Sequence, residues 1–144
     1  TFLATADNPY FEVSRTEIER EGESYAIDTV KYIRGKMPEN GKLFFITGAD
    51  AILEIVTWKN VPELLQLCGF IAATRPGYNL TELRKKIIKK LPEKYLNNII
   101  TLEVPAMAIS STDIRERVKK GRTIKYLLPE AVENFIQKNE LYQN

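Results

Sequence analysis

The chain has 144 residues, 44% hydrophobic and 28% charged, with a formal net charge of +2 at pH 7. That length gives one domain's worth of sequence with a sizeable core, and so small a charge argues for neither nucleic acid nor an anionic membrane as partner. Cys68 is the only cysteine and histidine is absent, which excludes an internal disulfide, a thiolate metal cluster and every imidazole-dependent mechanism within these residues.

Thr1-Phe2-Leu3-Ala4-Thr5-Ala6 reads as the tail of a helix begun earlier, so the chain is expected to be the C-terminal piece of a longer protein. Phe11 to Ile18, with Phe11 and Val13 alternating against polar neighbours, predicts a strand broken by Gly22. A helix opens at Ser24, carries Ile27, Val30 and Ile33 at helical spacing, and ends at Gly35. Leu43-Phe44-Phe45-Ile46-Thr47 is an almost wholly apolar run, the pattern of a parallel strand buried on both faces. Gly48-Ala49-Asp50 leads into a helix through Ile55, and Val61 to Leu67 predicts another with Pro62 in its first turn. Phe70 to Thr74 is a second buried strand, followed by the turn signal Arg75-Pro76-Gly77. The helix predicted over Leu80 to Leu91 has Leu83, Ile87, Ile88 and Leu91 on one side. Arg84, Lys85, Lys86, Lys89 and Lys90 lie mostly on the other. No aromatic residue interleaves these cations, so they read as a solvated face rather than a nucleic-acid surface. A third strand over Asn98–Val104 and helices over Ser111–Lys120 and Glu130–Asn139 complete the chain.

Strands alternating with helices predict an α/β domain over residues 1–144, a parallel sheet with helices on both faces. Ligands of such sheets bind beyond the carboxyl ends of the strands. Gly48 and Asp50 follow the first strand, Arg75 the second, and Ser110-Ser111-Thr112-Asp113-Ile114-Arg115 the third. If Ser110 caps the last of these helices, Asp113 falls where it can close a capping box. The uncommitted backbone N–H groups of such a helix start favour phosphate, and Arg115 adds a planar donor fork. The plain alternative is an ordinary capping box that binds nothing. Gly48 permits close approach of a ligand or simply turns the chain. Asp50 accepts from a ribose hydroxyl or merely favours the helix dipole. Trp58, the only tryptophan, stacks on a planar ligand or anchors its loop in the core.

Ser110-Ser111-Thr112-Asp113-Ile114-Arg115 resembles the Ile-Ser-Ser-Thr-x-Ile-Arg signature of nucleotidyltransferases. Gly22 to Thr29, Phe45 to Asp50, Trp58, Arg75-Pro76-Gly77-Tyr78, Lys125 to Pro129 and Ile136 to Tyr142 resemble, in order, segments of the bacterial nicotinate-mononucleotide adenylyltransferase family. The resemblance implies a Rossmann-like sheet whose N-terminal strand and helix, with a two-histidine phosphate loop, are missing here. It implies adenylyl transfer from ATP, with Mg2+, to nicotinate mononucleotide in NAD biosynthesis, in the cytoplasm. It implies that Ser111, Thr112 and Arg115 hold the ATP phosphates, with Arg115 the catalytic charge. Gly48 and Asp50 contact the adenylate side, Trp58 stacks on the pyridine ring, and the backbone around Ala26 and Lys59 reads the nicotinate carboxylate, with Arg75 contributing. The family often has threonine where this chain has Ala26. Without the histidine loop, these residues alone are expected to turn over feebly. Two other readings stand beside this one: a mononucleotide-binding module without turnover, and an interaction domain using the basic Leu80–Leu91 face. The sequence leaves homo-oligomeric assembly open.

Overall fold

A computed structural model of the chain describes residues 1–74, 79–105 and 109–143. They gather into two compact units, Thr16–Pro105 and, separately, Thr1–Arg15 with the C-terminal residues from Ile109.

In the Thr16–Pro105 unit, strands β1 (Phe44–Gly48), β2 (Gly69–Thr74) and β3 (Ile99–Glu103) form a parallel sheet in that order. The register sets Ile46 beside Ile71 and Ile71 beside Ile100. Helix α4 (Ala49–Leu53), a 3-10 turn at Ile55–Thr57 and α5 (Val61–Leu67) connect β1 to β2. Helix α6 (Leu80–Lys90) and a 3-10 turn at Glu93–Asn98 connect β2 to β3. Helix α3 (Ala26–Arg34) packs on α5. The α/β class, the parallel strands and the surrounding helices follow the pattern read from the sequence. Parallel strands need such crossovers, and the apolar periods supply them.

The core forms because each helix offers one apolar stripe to one sheet face. Leu64 and Leu65 of α5, Leu83 of α6 and Phe70 of β2 are fully buried, joined by Ile52 and Ile55. On α6 the stripe is Leu83, Ile87 and Leu91; Ile88, expected on it, is instead 48% exposed. Asn79 starts that helix by accepting a 3.0 Å hydrogen bond from the Glu82 N–H. Strand β1 also departs from expectation. Phe45 packs on the core, but Phe44 and Ile46 on its other face are 43% and 69% exposed. An all-apolar run signals burial on both faces, and here the described cluster lies on one.

Phe11 to Ile18 is not a strand. Residues 11–15 have no regular structure, and Thr16–Glu19 is a single helical turn, α2. Alternation marks two-sidedness, but a strand also needs an edge to pair with. Here the chain is tied to α3 instead. The Ser24 hydroxyl donates to the Glu17 carbonyl (3.2 Å) and the Thr29 hydroxyl to the Glu17 carboxylate (2.6 Å).

The other unit holds α1 (Phe2–Thr5), α7 (Ser111–Lys119) and α8 (Glu130–Lys138), with α1 against α8. Its small core is Ile114, Ile124 and Ile136, flanked by Val118, Leu128 and Val132. Helix α7 ends in a Schellman motif. Gly121, at φ +63°, donates to the Val118 carbonyl, and Arg122 donates to Arg117 at 2.8 Å. That left-handed turn costs glycine little and most other residues more. Among the described residues, no helix is long and apolar enough to cross a membrane.

Candidate nucleotide-binding site

At the start of α7 the Ser110 side chain accepts from the Asp113 N–H at 3.1 Å, the predicted N-cap. The reciprocal half of the capping box is replaced. The Asp113 carboxylate accepts from the Arg117 guanidinium at 2.8 Å, one turn on. The Arg115 guanidinium donates to the Thr112 hydroxyl at 3.4 Å and has no acidic partner among the described residues. Ser111, Thr112 and Arg115 therefore stand together in the first turn and a half, exposed or nearly so. Their neighbours are neutralised: Arg117 by Asp113, and Lys120 by Glu116 at 2.6 Å. The Lys120 ammonium also holds the Glu116 carboxyl below its ordinary range. A cavity of about 190 Å³ lies against this helix, lined by Thr112, Arg115, Glu116, Lys119 and Tyr142.

In the Thr16–Pro105 unit, Gly48 ends β1 and precedes α4, with Asp50 exposed in that helix's first turn. Gly48 sits at φ −68°, ψ 152°, a conformation open to any residue, and a Cβ built there would meet nothing within 4 Å. The turn does not require glycine, and the space above it is open.

Trp58 is partly buried. Its indole meets Phe45 edge-on at 5.5 Å between centroids and Phe70 at 6.1 Å, while Phe45 stacks on Phe70 at 5.4 Å. The loop-anchoring role is thus visible in the packing, and the indole is held rigidly where it emerges. Next to it, the Lys59 ammonium lies 3.8 Å from the centroid of the Tyr25 ring. Tyr25 is the N-terminal flank of α3, and Ala26 is its first residue. No side chain caps that helix start, and while Asp28 and Thr29 donate to the Tyr25 carbonyl, the N–H groups of Ala26 and Ile27 are left without a cap. This contact brings together Ala26 and Lys59, which the sequence separates widely. The Tyr25 hydroxyl donates to Glu23, which raises its pKa.

Within the Thr16–Pro105 unit the structure thus sets Ala26, Trp58 and Lys59 about one loop and Gly48 and Asp50 at the end of β1; within the other unit, Ser111, Thr112 and Arg115 share α7. Arg75 lies outside the described residues. Tyr25, Lys119 and Tyr142 were not singled out by sequence. For Lys119 the signal was present, because Thr112, Arg115, Glu116 and Lys119 share the helical spacing of one face. A larger cavity, about 360 Å³, opens at the amino ends of the strands beside Arg34 and Lys42. No predicted site residue lines it, and the Arg34 guanidinium is already committed to the Gly41 and Glu39 carbonyls. Among the described residues no group of three or more histidine, cysteine or acidic side chains is placed to hold a metal.

The cytidylyltransferase-like family matches residues 2–117. A probable nicotinate-nucleotide adenylyltransferase of Moorella thermoacetica is 59% identical over 99% of the chain, which covers 65% of that relative. One from a Thermoanaerobacter species is 55% identical over 99% of the chain, covering 67% of the relative. The chain therefore spans about two thirds of the length of these relatives. In fold it is similar to the Plasmodium falciparum nicotinic acid mononucleotide adenylyltransferase complexed with APC. That match has a TM-score of 0.60 and 23% identity over 85% of this chain and 60% of the other. The chain belongs to the cytidylyltransferase-like family, among the proteins named nicotinate-nucleotide adenylyltransferase.

Proposed function

We propose that the chain carries much of the nucleotide-binding apparatus for adenylyl transfer from ATP to nicotinate mononucleotide. The products are nicotinate adenine dinucleotide and pyrophosphate, a step of NAD biosynthesis that suits a cytoplasmic setting. The observation that carries this reading is the 59% and 55% identity, over 99% of this chain, to relatives named as probable enzymes of the reaction. The geometry supports it by supplying suitable groups.

A phosphate oxygen of the mononucleotide attacks the α-phosphorus of ATP. The bond from that phosphorus to the oxygen bridging the β-phosphate breaks, and pyrophosphate leaves with the electron pair. No protein nucleophile is needed, so catalysis consists of positioning and charge stabilisation. The N–H groups at the start of α7, the Ser111 and Thr112 hydroxyls and the Arg115 guanidinium receive the triphosphate. Magnesium enters with ATP as part of the substrate. Gly48 leaves room for the adenylate side, where Asp50 accepts from a ribose hydroxyl. Trp58 stacks on the pyridine ring. The bare start of α3 at Ala26 and the backbone at Lys59 receive the nicotinate carboxylate, which favours the acid over the amide. Arg75 adds a further cation. Phe45, under the indole, lies three residues before Gly48, roughly 10 Å along the strand.

The test is pyrophosphate release by the full-length protein from ATP and nicotinate mononucleotide. Arg115→Ala should remove roughly 2–4 kcal/mol of transition-state stabilisation, the scale of one preorganised charge contact. Wild-type kinetics in that variant would remove the role given to Arg115. Binding of both nucleotides without release would identify a binding module.

A further inference from the structure

Helix α7 and its C-cap carry four cations after the first turn, and they divide sharply. Arg117 is paired with Asp113 and Lys120 with Glu116. Arg115 and Lys119 have no acidic partner at salt-bridge distance among the described residues. These two are one turn apart, and both line the same cavity of about 190 Å³ with Thr112 and Tyr142. The fifth lining residue, Glu116, is the only acid there, and its carboxylate is already held by Lys120. Tyr142 lines the cavity from the C-terminal tail. The Leu141 N–H bonds back to the Ile136 carbonyl at 3.1 Å, and Tyr142 itself takes φ +64°. A salt-bridged surface would have used these cations; this one leaves two of them facing one hollow.

From this arrangement we infer that the cavity is a pyrophosphate site, in which Lys119 and the Tyr142 hydroxyl bind the β,γ end of the triphosphate and then the departing pyrophosphate. Lys119 lies about 6 Å further along the helix axis than Arg115. Helical side chains lean toward the N-terminus, so its four-carbon stem returns the ammonium toward Arg115 and Thr112. Two cations spaced in this way match a dianionic or trianionic diphosphate better than a single phosphate. A lysine serves here as a mobile point charge, able to follow the leaving group, whereas the arginine fork fixes it. The assignment rests on the adenylyl-transfer reading and adds two residues to it.

The experiment is calorimetric titration of the full-length protein with inorganic pyrophosphate, in parallel with steady-state kinetics. Lys119→Gln should weaken pyrophosphate about tenfold and raise KM for ATP by a similar factor. Nicotinate mononucleotide KM should stay within twofold, and Lys119→Arg should restore most of the loss. Tyr142→Phe should cost severalfold on pyrophosphate alone. Lys138→Gln, in the last turn of α8 and not among the residues lining the cavity, is the control and should behave as wild type. Wild-type pyrophosphate affinity in Lys119→Gln, or an equal loss in Lys138→Gln, would overturn the assignment while leaving adenylyl transfer standing. A wild-type protein that makes no dinucleotide, yet binds pyrophosphate through Lys119, would instead overturn the reaction and keep the anion site.

Discussion

Trp58 is asked to do two things, and they can be separated. Its indole touches Phe45 and Phe70 at 5.5 and 6.1 Å between ring centroids. Edge-to-face pairs add about 0.5–1.5 kcal/mol each beyond area burial. A partly buried indole covers on the order of 100–150 Å² of apolar surface, about 2.5–3.8 kcal/mol at 25 cal/mol/Å² and an upper bound on that bookkeeping. Trp58→Ala should therefore cost about 3–4 kcal/mol of stability, near the low end for large aromatic deletions in cores. Such a loss would depress activity through folding alone. Trp58→Leu is the sharper perturbation, since it keeps apolar bulk against Phe45 and Phe70 but removes the π face. Its stability cost should fall to about 1–2 kcal/mol. Loss of stacking, worth about 1–3 kcal/mol per base, should still raise KM for nicotinate mononucleotide tenfold or more. KM for ATP should stay within twofold. Urea denaturation followed by circular dichroism reads the first effect and pyrophosphate release the second. A Trp58→Leu protein whose two KM values rise together, or not at all, would confine Trp58 to the core and refute the stacking role.

Three further outcomes follow from the geometry. Gly48→Ala should fold with wild-type or slightly higher thermal stability, because its backbone is extended and the added methyl meets open space, yet KM for ATP should rise severalfold; unchanged kinetics would return Gly48 to a plain turn. Ser110→Ala should cost about 1 kcal/mol through loss of the cap to Asp113, read as a lower urea midpoint, and Ser110→Asp should recover it. Burial pushes the Cys68 thiol from 9.0 up to about 11, so above pH 9 the unfolded chain ionises first and binds fewer protons than the native one. Stability should then fall between pH 9 and 11 by roughly 2–3 kcal/mol, and this increment should vanish in Cys68→Ala when the two pH profiles are subtracted.

The elements that sequence makes legible are those whose signal is local. Leu83, Ile87 and Leu91 at helical spacing, Pro62 in the first turn of α5, and Ser110 three residues before Asp113 each specify structure through contacts within a turn or two. The strands β1 to β3 were legible because short apolar runs between helices have few other places to go. What failed needed a distant partner. Phe11 and Val13 alternate as a strand does, but no neighbouring edge receives them, and Glu17 is captured by Ser24 and Thr29 instead. Likewise the two apolar faces of β1 look alike in sequence, and only the packed structure distinguishes Phe45 from Ile46. The Lys59–Tyr25 contact joins two loops that share no local signal.

Charge shows the same division in its sharpest form. In sequence α7 follows its capping box with a mixture of acids and bases, and i,i+3 and i,i+4 spacing permits more than one pairing. Asp113 pairs with Arg117, one turn on, whose guanidinium lies 2.8 Å away; Arg115, only two residues on, faces elsewhere on the helix. Glu116 has two lysines in reach, Lys119 at i,i+3 and Lys120 at i,i+4, and the fold selects Lys120. Those choices leave Arg115 and Lys119 without a salt bridge among the described residues. An exposed pair is worth only a few tenths of a kcal/mol, so stability alone gives little reason to prefer one pairing over another. The pairing therefore matters chiefly for which cations remain open to an anion. If Glu116 were left to neutralise Lys119 instead, for example by replacing Lys120 with Gln, the charge facing the cavity would be partly cancelled. Lys120→Gln, a residue that touches no proposed ligand, should thus raise KM for ATP in the pyrophosphate-release assay by a modest factor, about twofold, while leaving nicotinate mononucleotide unaffected.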